Sequence, residues 1–430
     1  AGSVQLGGRP FDYTVSAAFL PVVAEGFDGA PGEPQAAVMA TAYLLQGAGA
    51  GQRPVCFAFN GGPGSASLWL QMGAFGPKRV AIPSDARDDG APPYPILDNP
   101  DSLLDVTDLV FIDPVGTGFS HTIGDTKGED YWGVTKDARS VAQVIRQWLD
   151  KNGRWNSPKY LGGESYGTTR AAAVVNELEG GYNDVALNGV LLISTILDFG
   201  AGAETEGAEL GYITVLPSMA ATALYHGKAS APSVEGFVEE ARQFAIGPYA
   251  SFLLKGQKAS AEERAAILPE LARFTGLSQD FLDRADLRVT SGRFYKELLR
   301  DRGLTVGRLD SRYTGTDYDN AGETPDNDPS FYGIDAGYTA AINSWARETL
   351  GYRTDREYQS IGREPGRDHA RERLHADGAD DAVVGRDEVV HALADGRRVL
   401  RHRDVGRGGG GLLEGEGDPV DHVAEGVRLG

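Results

Sequence analysis

Residues 159–178 read Lys159-Tyr-Leu-Gly-Gly-Glu-Ser165-Tyr-Gly-Thr-Thr-Arg-Ala-Ala-Ala-Val-Val-Asn-Glu-Leu178. Tyr160 and Leu161 read as a strand, and the alanine-rich residues 171–178 read as a helix. Between them, Gly163-Glu164-Ser165-Tyr166-Gly167 sets a serine between two glycines, each one residue removed. This is the G-x-S-x-G pattern of a sharp strand-to-helix corner. A side chain at Gly163 or Gly167 would collide with neighbouring backbone. The turn pushes the Ser165 hydroxyl out at the C-terminal end of a sheet, where the amides opening a helix favour developing negative charge. Glycine and serine also fill ordinary turns, so the pentapeptide has two readings, nucleophile or plain turn. Its surroundings decide.

Upstream, Arg53-Pro-Val-Cys-Phe-Ala-Phe59 is a short apolar run of the kind that makes a buried strand, and it ends in Asn60-Gly61-Gly62-Pro63-Gly64-Ser65. Such a loop exposes backbone N–H groups that no side chain shields, as half of an oxyanion hole requires; the plainer reading is a tight turn. Residues 106–113 read as another buried strand, closed by Pro114-Val-Gly-Thr-Gly-Phe-Ser120. This second glycine loop lacks the G-x-x-x-x-G-K-[ST] spacing of a phosphate loop. Val141, Val144, Ile145, Trp148 and Leu149 share one helical face, which Gly153 ends. Residues 187–193 read as a further strand, and residues 9–47 as two strands around a Gly/Pro-rich turn at 29–34.

Strands alternating with helices, with glycine loops at the strand ends, predict an α/β protein with a mostly parallel sheet covered on both faces. Ligands of such sheets bind beyond the carboxyl ends of the strands. All three glycine loops fall there, which favours the nucleophile reading of Ser165. From about residue 203 the pattern turns helical, with helices expected at 234–244, 261–274, 294–299 and 336–350, and a surface loop at 313–335. The expected division is a core at 1–200, a helical cap or insertion at 201–355, and a C-terminal segment at 356–430.

The composition excludes several classes. A net charge of −20 and a pI near 4.8, with no basic stripe, argue against a nucleic-acid partner. No apolar run reaches the length of a membrane span. The single cysteine, Cys56, forms no internal disulfide and reads as a small buried hydrophobe. No H-e-x-x-H or Cys/His cluster points to a metal, and no cofactor is expected. The chain starts at Ala1, consistent with removal of a signal peptide and export to a secreted or periplasmic location, and equally with a fragment.

Taken together and in order, Asn60-Gly-Gly-Pro-Gly-Ser65, Asp113-Pro-Val-Gly-Thr-Gly-Phe-Ser120 and Gly163-Glu-Ser-Tyr-Gly167 resemble the serine carboxypeptidases of the S10 type, and within them the bacterial branch. The resemblance covers about residues 1–360. It implies an α/β-hydrolase fold and release of single residues from peptide C-termini through an acyl-enzyme. By motif, Ser165 would be the nucleophile, and the N–H groups of Gly62 and Tyr166 the oxyanion hole. Asn60 and Glu164 would bind the terminal carboxylate of a peptide substrate. Two carboxylates in contact must share a proton, so a preference for acidic pH would follow. Two departures stand out. Ser65 occupies a position where family members often carry cysteine. Ala74 aligns where many eukaryotic members place a second carboxylate, which leaves a carboxylesterase or aminoacylase open as an alternative.

A Ser–acid–His triad needs an Asp and a His after the nucleophile. The family's two C-terminal motifs for them are absent, so neither residue is assigned. Residues 363–430 instead use only Arg, Gly, Asp, Glu, His, Ala, Val, Leu and Pro, and hold five of the seven histidines. Those nine amino acids have codons beginning with G or C. A GC-rich gene read one register off produces this composition, so the tail from about Gly366 reads as a frameshifted translation. Shifting back permits Gly-Tyr-Tyr-Asp at residues 398–401, similar to the family's acid motif. The alternative is a genuine low-complexity tail. His391, His402 and His422 sit in no matching motif, and His121 and His226 precede the expected position. A catalytically dead peptide-binding homologue is therefore the third reading.

Overall fold

Val55–Phe59 carries no charge and is buried along its whole length, as the central strand of a sheet covered on both faces must be. Its residues alternate between two cores. Val55, Phe57 and Phe59 face Val144, Trp148 and Leu178, with Phe57 edge-on to Trp148 at 5.3 Å. Cys56 and Ala58 face Tyr43, Met72 and Trp345. The computed structural model describes residues 1–23, 32–47, 49, 51–181, 184–202, 204–205 and 207–362. The anomalous tail and its five histidines lie outside these residues, as does part of the turn expected at 29–34.

In chain order the strands are β1 (Gly2–Leu6), β2 (Arg9–Val22), β3 (Ala36–Leu45), β4 (Val55–Phe59), β5 (Lys78–Val80), β6 (Ile96–Asp98), β7 (Asp108–Ile112), β8 (His121–Thr122), β9 (Lys159–Glu164), β10 (Gly189–Ile193), β11 (Thr305–Val306) and β12 (Thr314–Gly315). The main sheet runs β1-β2-β3-β7-β4-β9-β10, with β8 beside β3. β7, β4, β9 and β10 are parallel, and β3 runs antiparallel to β7. β1 was not foreseen; it folds back on β2 through Gly7 and Gly8, whose φ of 54° and 75° suit a tight hairpin turn. This strand order and mixture of directions is the α/β-hydrolase sheet.

Helices α1 (Val134–Asn152) and α2 (Tyr166–Glu179) cover one face of the sheet. α1 stops where read, at Gly153, in the left-handed conformation with φ 62°. Six helices follow: α3 (Glu209–Tyr225), α4 (Val234–Phe244), α5 (Ala250–Lys255), α6 (Ala261–Thr275), α7 (Gln279–Arg284) and α8 (Ser291–Glu297). They bury a separate core around Leu216, Phe237, Leu271, Phe274 and Phe294. Four of their starts, those of α4, α6, α7 and α8, are capped: Ser233, Ser260, Ser278 and Thr290 each accept a hydrogen bond from a backbone N–H of the first turn, which satisfies an otherwise orphan donor.

The expectation of a surface loop through residue 335 is corrected. α9 (Pro329–Glu348) begins inside that polar stretch, with Asp328 as its cap and Pro329 in its first turn. That is where a proline's missing N–H costs nothing. α9 turns back to the sheet: Ala341, Ile342 and Trp345 join the core on the second face. No helix among the described residues is long and apolar enough to cross a membrane.

Candidate active site

β9 ends at Glu164 and α2 starts at Tyr166, so Ser165 alone makes the corner, at φ 57° and ψ −127°. Such a conformation costs a non-glycine residue on the order of 1–3 kcal/mol. Its surroundings hold it. Ser165 N donates to Ile193 O at 2.9 Å, and Ser165 O accepts from Thr168 N at 2.9 Å and from Thr168 Oγ1 at 2.7 Å. The flanking glycines are steric necessities. A Cβ on Gly163 would lie 2.1 Å from Gly167 O, and one on Gly167 would lie 2.7 Å from Phe59 O.

The loop after β4 is pressed against this corner. A Cβ on Gly61 would lie 2.4 Å from Tyr166 N and 2.7 Å from Glu164 O. The loop closes on itself through Ser65 N donating to Gly61 O at 3.0 Å. C=O and N–H point oppositely across a trans peptide, so this bond aims the Gly62 N–H away from Ser65. Gly62 itself has φ +105°, a value open to glycine alone. Neither the Gly62 nor the Tyr166 N–H has an acceptor among the described residues.

Asn60, almost wholly buried, is fixed by both ends of its amide. Its Oδ1 accepts from Leu70 N at 3.0 Å, and its Nδ2 donates to Glu164 Oε2 at 3.0 Å. Glu164 is only partly buried, so this pair presents an amide and a carboxyl group beside Ser165. All five residues named from the sequence thus lie on two adjoining segments. Ser165 Oγ meets no histidine among the described residues. His121 lies against Phe119 O at 3.0 Å and the Phe19 ring, and His226 lies against Ser311 O at 2.7 Å in the helical layer.

Two supporting groups were not read from the sequence. The first centres on Arg170, buried one turn into α2, where it meets Asp137 and the backbone of Asn60. The signal was a charge at a core position: Tyr166, Arg170, Val174 and Leu178 are spaced by four and all buried. The second is Asp113, at the end of β7. Its carboxylate accepts from Ser67 N at 2.8 Å and from the Tyr358 hydroxyl at 3.4 Å. Ser120 Oγ donates to Asp113 O at 2.6 Å and accepts from Met39 N at 2.8 Å. These bonds tie the two glycine loops together. Burial pushes the Asp113 carboxyl up to about 6. It pushes the Cys56 thiol up to about 12, so Cys56 is a packed small side chain rather than a nucleophile.

A cavity of about 70 Å³ lies beside the corner, lined by Pro63, Val115, Tyr131, Trp132, Tyr166 and Arg170 among others. The Tyr131 hydroxyl is buried with no partner among the described residues. Among those residues, no group of three or more His, Cys, Asp or Glu is placed to hold a metal ion.

Residues 45–226 match the serine carboxypeptidase family, a span that contains both glycine loops and the Ser165 corner. Serine carboxypeptidase-like 13 of Arabidopsis thaliana is 28% identical over 147 residues, covering 34% of this chain and 33% of that protein. Serine carboxypeptidase-like 4 of the same plant is 29% identical over 132 residues, covering 30% and 28%. The chain therefore spans about a third of the length of the curated relatives it matches. Among solved structures, the peroxisomal alpha-beta-hydrolase Lpx1 of Saccharomyces cerevisiae aligns at 12% identity and a TM-score of 0.25, over 58% of this chain and 72% of that one. Strand order and family match, rather than that overlay, identify the fold. Through its residues 45–226, this α/β-hydrolase chain is similar to the serine carboxypeptidase family.

Proposed function

We propose that this protein is a serine-type carboxypeptidase acting on peptide C-termini through an acyl-enzyme on Ser165. The observation that carries the reading is the closeness of two backbone segments. The strained Ser165 corner adjoins a loop whose Gly62 N–H is aimed outward. In the mechanism, Ser165 Oγ would attack the scissile carbonyl as a general base takes its proton, charge grows on the carbonyl oxygen, and the C–N bond then breaks, the proton passing to the departing C-terminal residue as its amine. The Gly62 and Tyr166 N–H groups meet that oxygen without reorganising, and each such donor is worth about 10²–10³ in kcat. The Asn60–Glu164 pair favours a peptidase over an ester hydrolase. The second hydrogen of the Asn60 amide would donate to a terminal carboxylate, with the Glu164 carboxyl group beside it.

The test is hydrolysis of an N-blocked dipeptide at pH 5 and pH 7 by the full chain and by Ser165→Ala. With a complete triad, the substitution lowers kcat on the order of 10⁶-fold. Equal rates for the two proteins would mean that Ser165 does not act as a nucleophile in this chain. Two alternatives have their own support. Ala74, exposed beyond the first loop, leaves room for an esterase or aminoacylase, which would cleave acyl esters faster than peptides with a free C-terminus. The lack of a histidine beside Ser165 among the described residues favours a peptide-binding protein without turnover. Such a serine would not react with a fluorophosphonate probe.

A further inference from the structure

We propose that Arg170 is a positioning residue that holds the Asn60–Gly61 peptide, and through it the outward-facing Gly62 N–H. The inference rests on the carboxypeptidase reading for its consequence in catalysis, but not for its structural content. Arg170 is 1% exposed, and a buried guanidinium persists only where its donors are matched. Asp137 on α1 alone would neutralise it, through Nε to Oδ2 at 2.7 Å. The other arm of the fork goes elsewhere: Nη1 donates to Asn60 O at 2.5 Å. That carbonyl belongs to the peptide entering the glycine loop, and Asn60 itself is 2% exposed.

The central carbon of the same guanidinium lies 5.5 Å from the Phe59 ring centroid and 5.1 Å from that of Tyr166, within cation–π range. Phe59 precedes the loop, and Tyr166 follows Ser165 and carries the second outward N–H. Arg170 therefore touches the backbone root of one proposed donor and the side chain of the residue bearing the other. A planar five-donor fork can make these contacts together, whereas the point charge of lysine cannot. A buried ion pair with only a stabilising role would need the Asp137 contact and no more.

The test compares full-length Arg170→Met, Arg170→Lys and the unmodified chain in two arms. Amide hydrogen exchange needs no turnover. Faster exchange confined to residues 59–66 and 165–170 is expected in Arg170→Met, and also in Arg170→Lys, which keeps Asp137 paired and so keeps Tm. In the kinetic arm, both variants should lose about 10- to 100-fold in kcat with KM changed less than about threefold, since misplaced donors act on the transition state. Unchanged exchange at residues 59–66 overturns the proposal. So does activity in Arg170→Lys that follows Tm back to that of the unmodified chain. If the unmodified chain shows no turnover, the carboxypeptidase reading fails for this chain, while the exchange arm still decides the role of Arg170. If Arg170→Met does not fold, Arg170→Lys alone carries both arms.

Discussion

Asp113 is the residue whose chemistry most clearly exceeds its packing role. It is buried where the two glycine loops meet, and one backbone N–H and one tyrosine hydroxyl face it. Folding raises its pKa from 3.8 to about 6, so the folded state holds the proton more tightly than the unfolded chain does. Its contribution to stability is complete below about pH 4 and is lost as pH rises through about 6; the loss is on the order of 3 kcal/mol. Asp113→Asn keeps the acceptor for Ser67 N and removes the titration. Its Tm should exceed that of the unmodified chain above pH 6, and the difference should vanish near pH 4. A constant Tm difference across that range would contradict this account. Gly61 gives a second prediction at this scale, because a Cβ there would meet Tyr166 N, Glu164 O and Gly167 N within 2.7 Å. These are backbone atoms that cannot swing aside, so Gly61→Ala must part the loop from the corner. We expect kcat to fall at least about 10²-fold, the worth of one displaced donor, and any serine reactivity with a fluorophosphonate to fall with it.

Among the elements, the six helices after β10 have a core of their own, and α9 links them to the sheet. The upper part of α9 contacts β11 and β12, while Trp345 packs 5.9 Å from Tyr43 of β3. Phe274 sits at the centre of the helical core, against Phe237 and Phe244. Phe274→Ala should cost about 3–5 kcal/mol. Because that core is separate, the damage should appear first as proteolytic cleavage within residues 209–299, while peptides of β4, β7 and β9 stay protected. Simultaneous loss of both layers would show that the helices and sheet unfold as one unit. Elements were legible where one physical signal dominated. β4 is an unbroken apolar run, β7 is one after its first residue, Asp108, and α4 and α6 have serine caps and an apolar stripe. α3 was harder to read because it is apolar nearly all round and carries Pro217 in its interior. The start of α9 was hidden because Asp328 and Pro329 are residues of turns as much as of helix starts. Strand order was out of reach for another reason: β7 lies between β3 and β4, and nothing in local sequence encodes that crossover. Arg170 lies just before the alanine-rich residues 171–178 that read as a helix, and a charge on a core face shows its purpose only once its partners are known.

For the whole molecule, the question is how a well-formed corner stands with no histidine beside it among the described residues. Ser165, Tyr166, Gly62, Asn60 and Glu164 are brought together by residues within 45–226, the span that matches the family. On the proposed carboxypeptidase reading a histidine and an acid would have to come from elsewhere, and residues 363–430 hold the anomalous composition. At the other side of the sheet, β10 is Gly-Val-Leu-Leu-Ile, and its outer edge has no strand partner among the described residues. An uncharged edge of this kind is a liability that folds normally cover. We propose that a single shift of reading frame after residue 362 would account for both. The coding DNA across residues 355–430 decides the matter first. A second frame there should encode aromatic residues, a Gly-Tyr-Tyr-Asp-like segment near residues 398–401 and a Gly-His-Met-like segment beyond it. Without them, the frameshift reading is wrong. If they are present, the frame-restored protein should hydrolyse an N-blocked dipeptide, while the chain as given retains no more than the roughly 10³- to 10⁴-fold acceleration over water that an oxyanion hole and binding supply by themselves. Restored protein no faster than that would mean that the site built around Ser165 binds peptides without cleaving them.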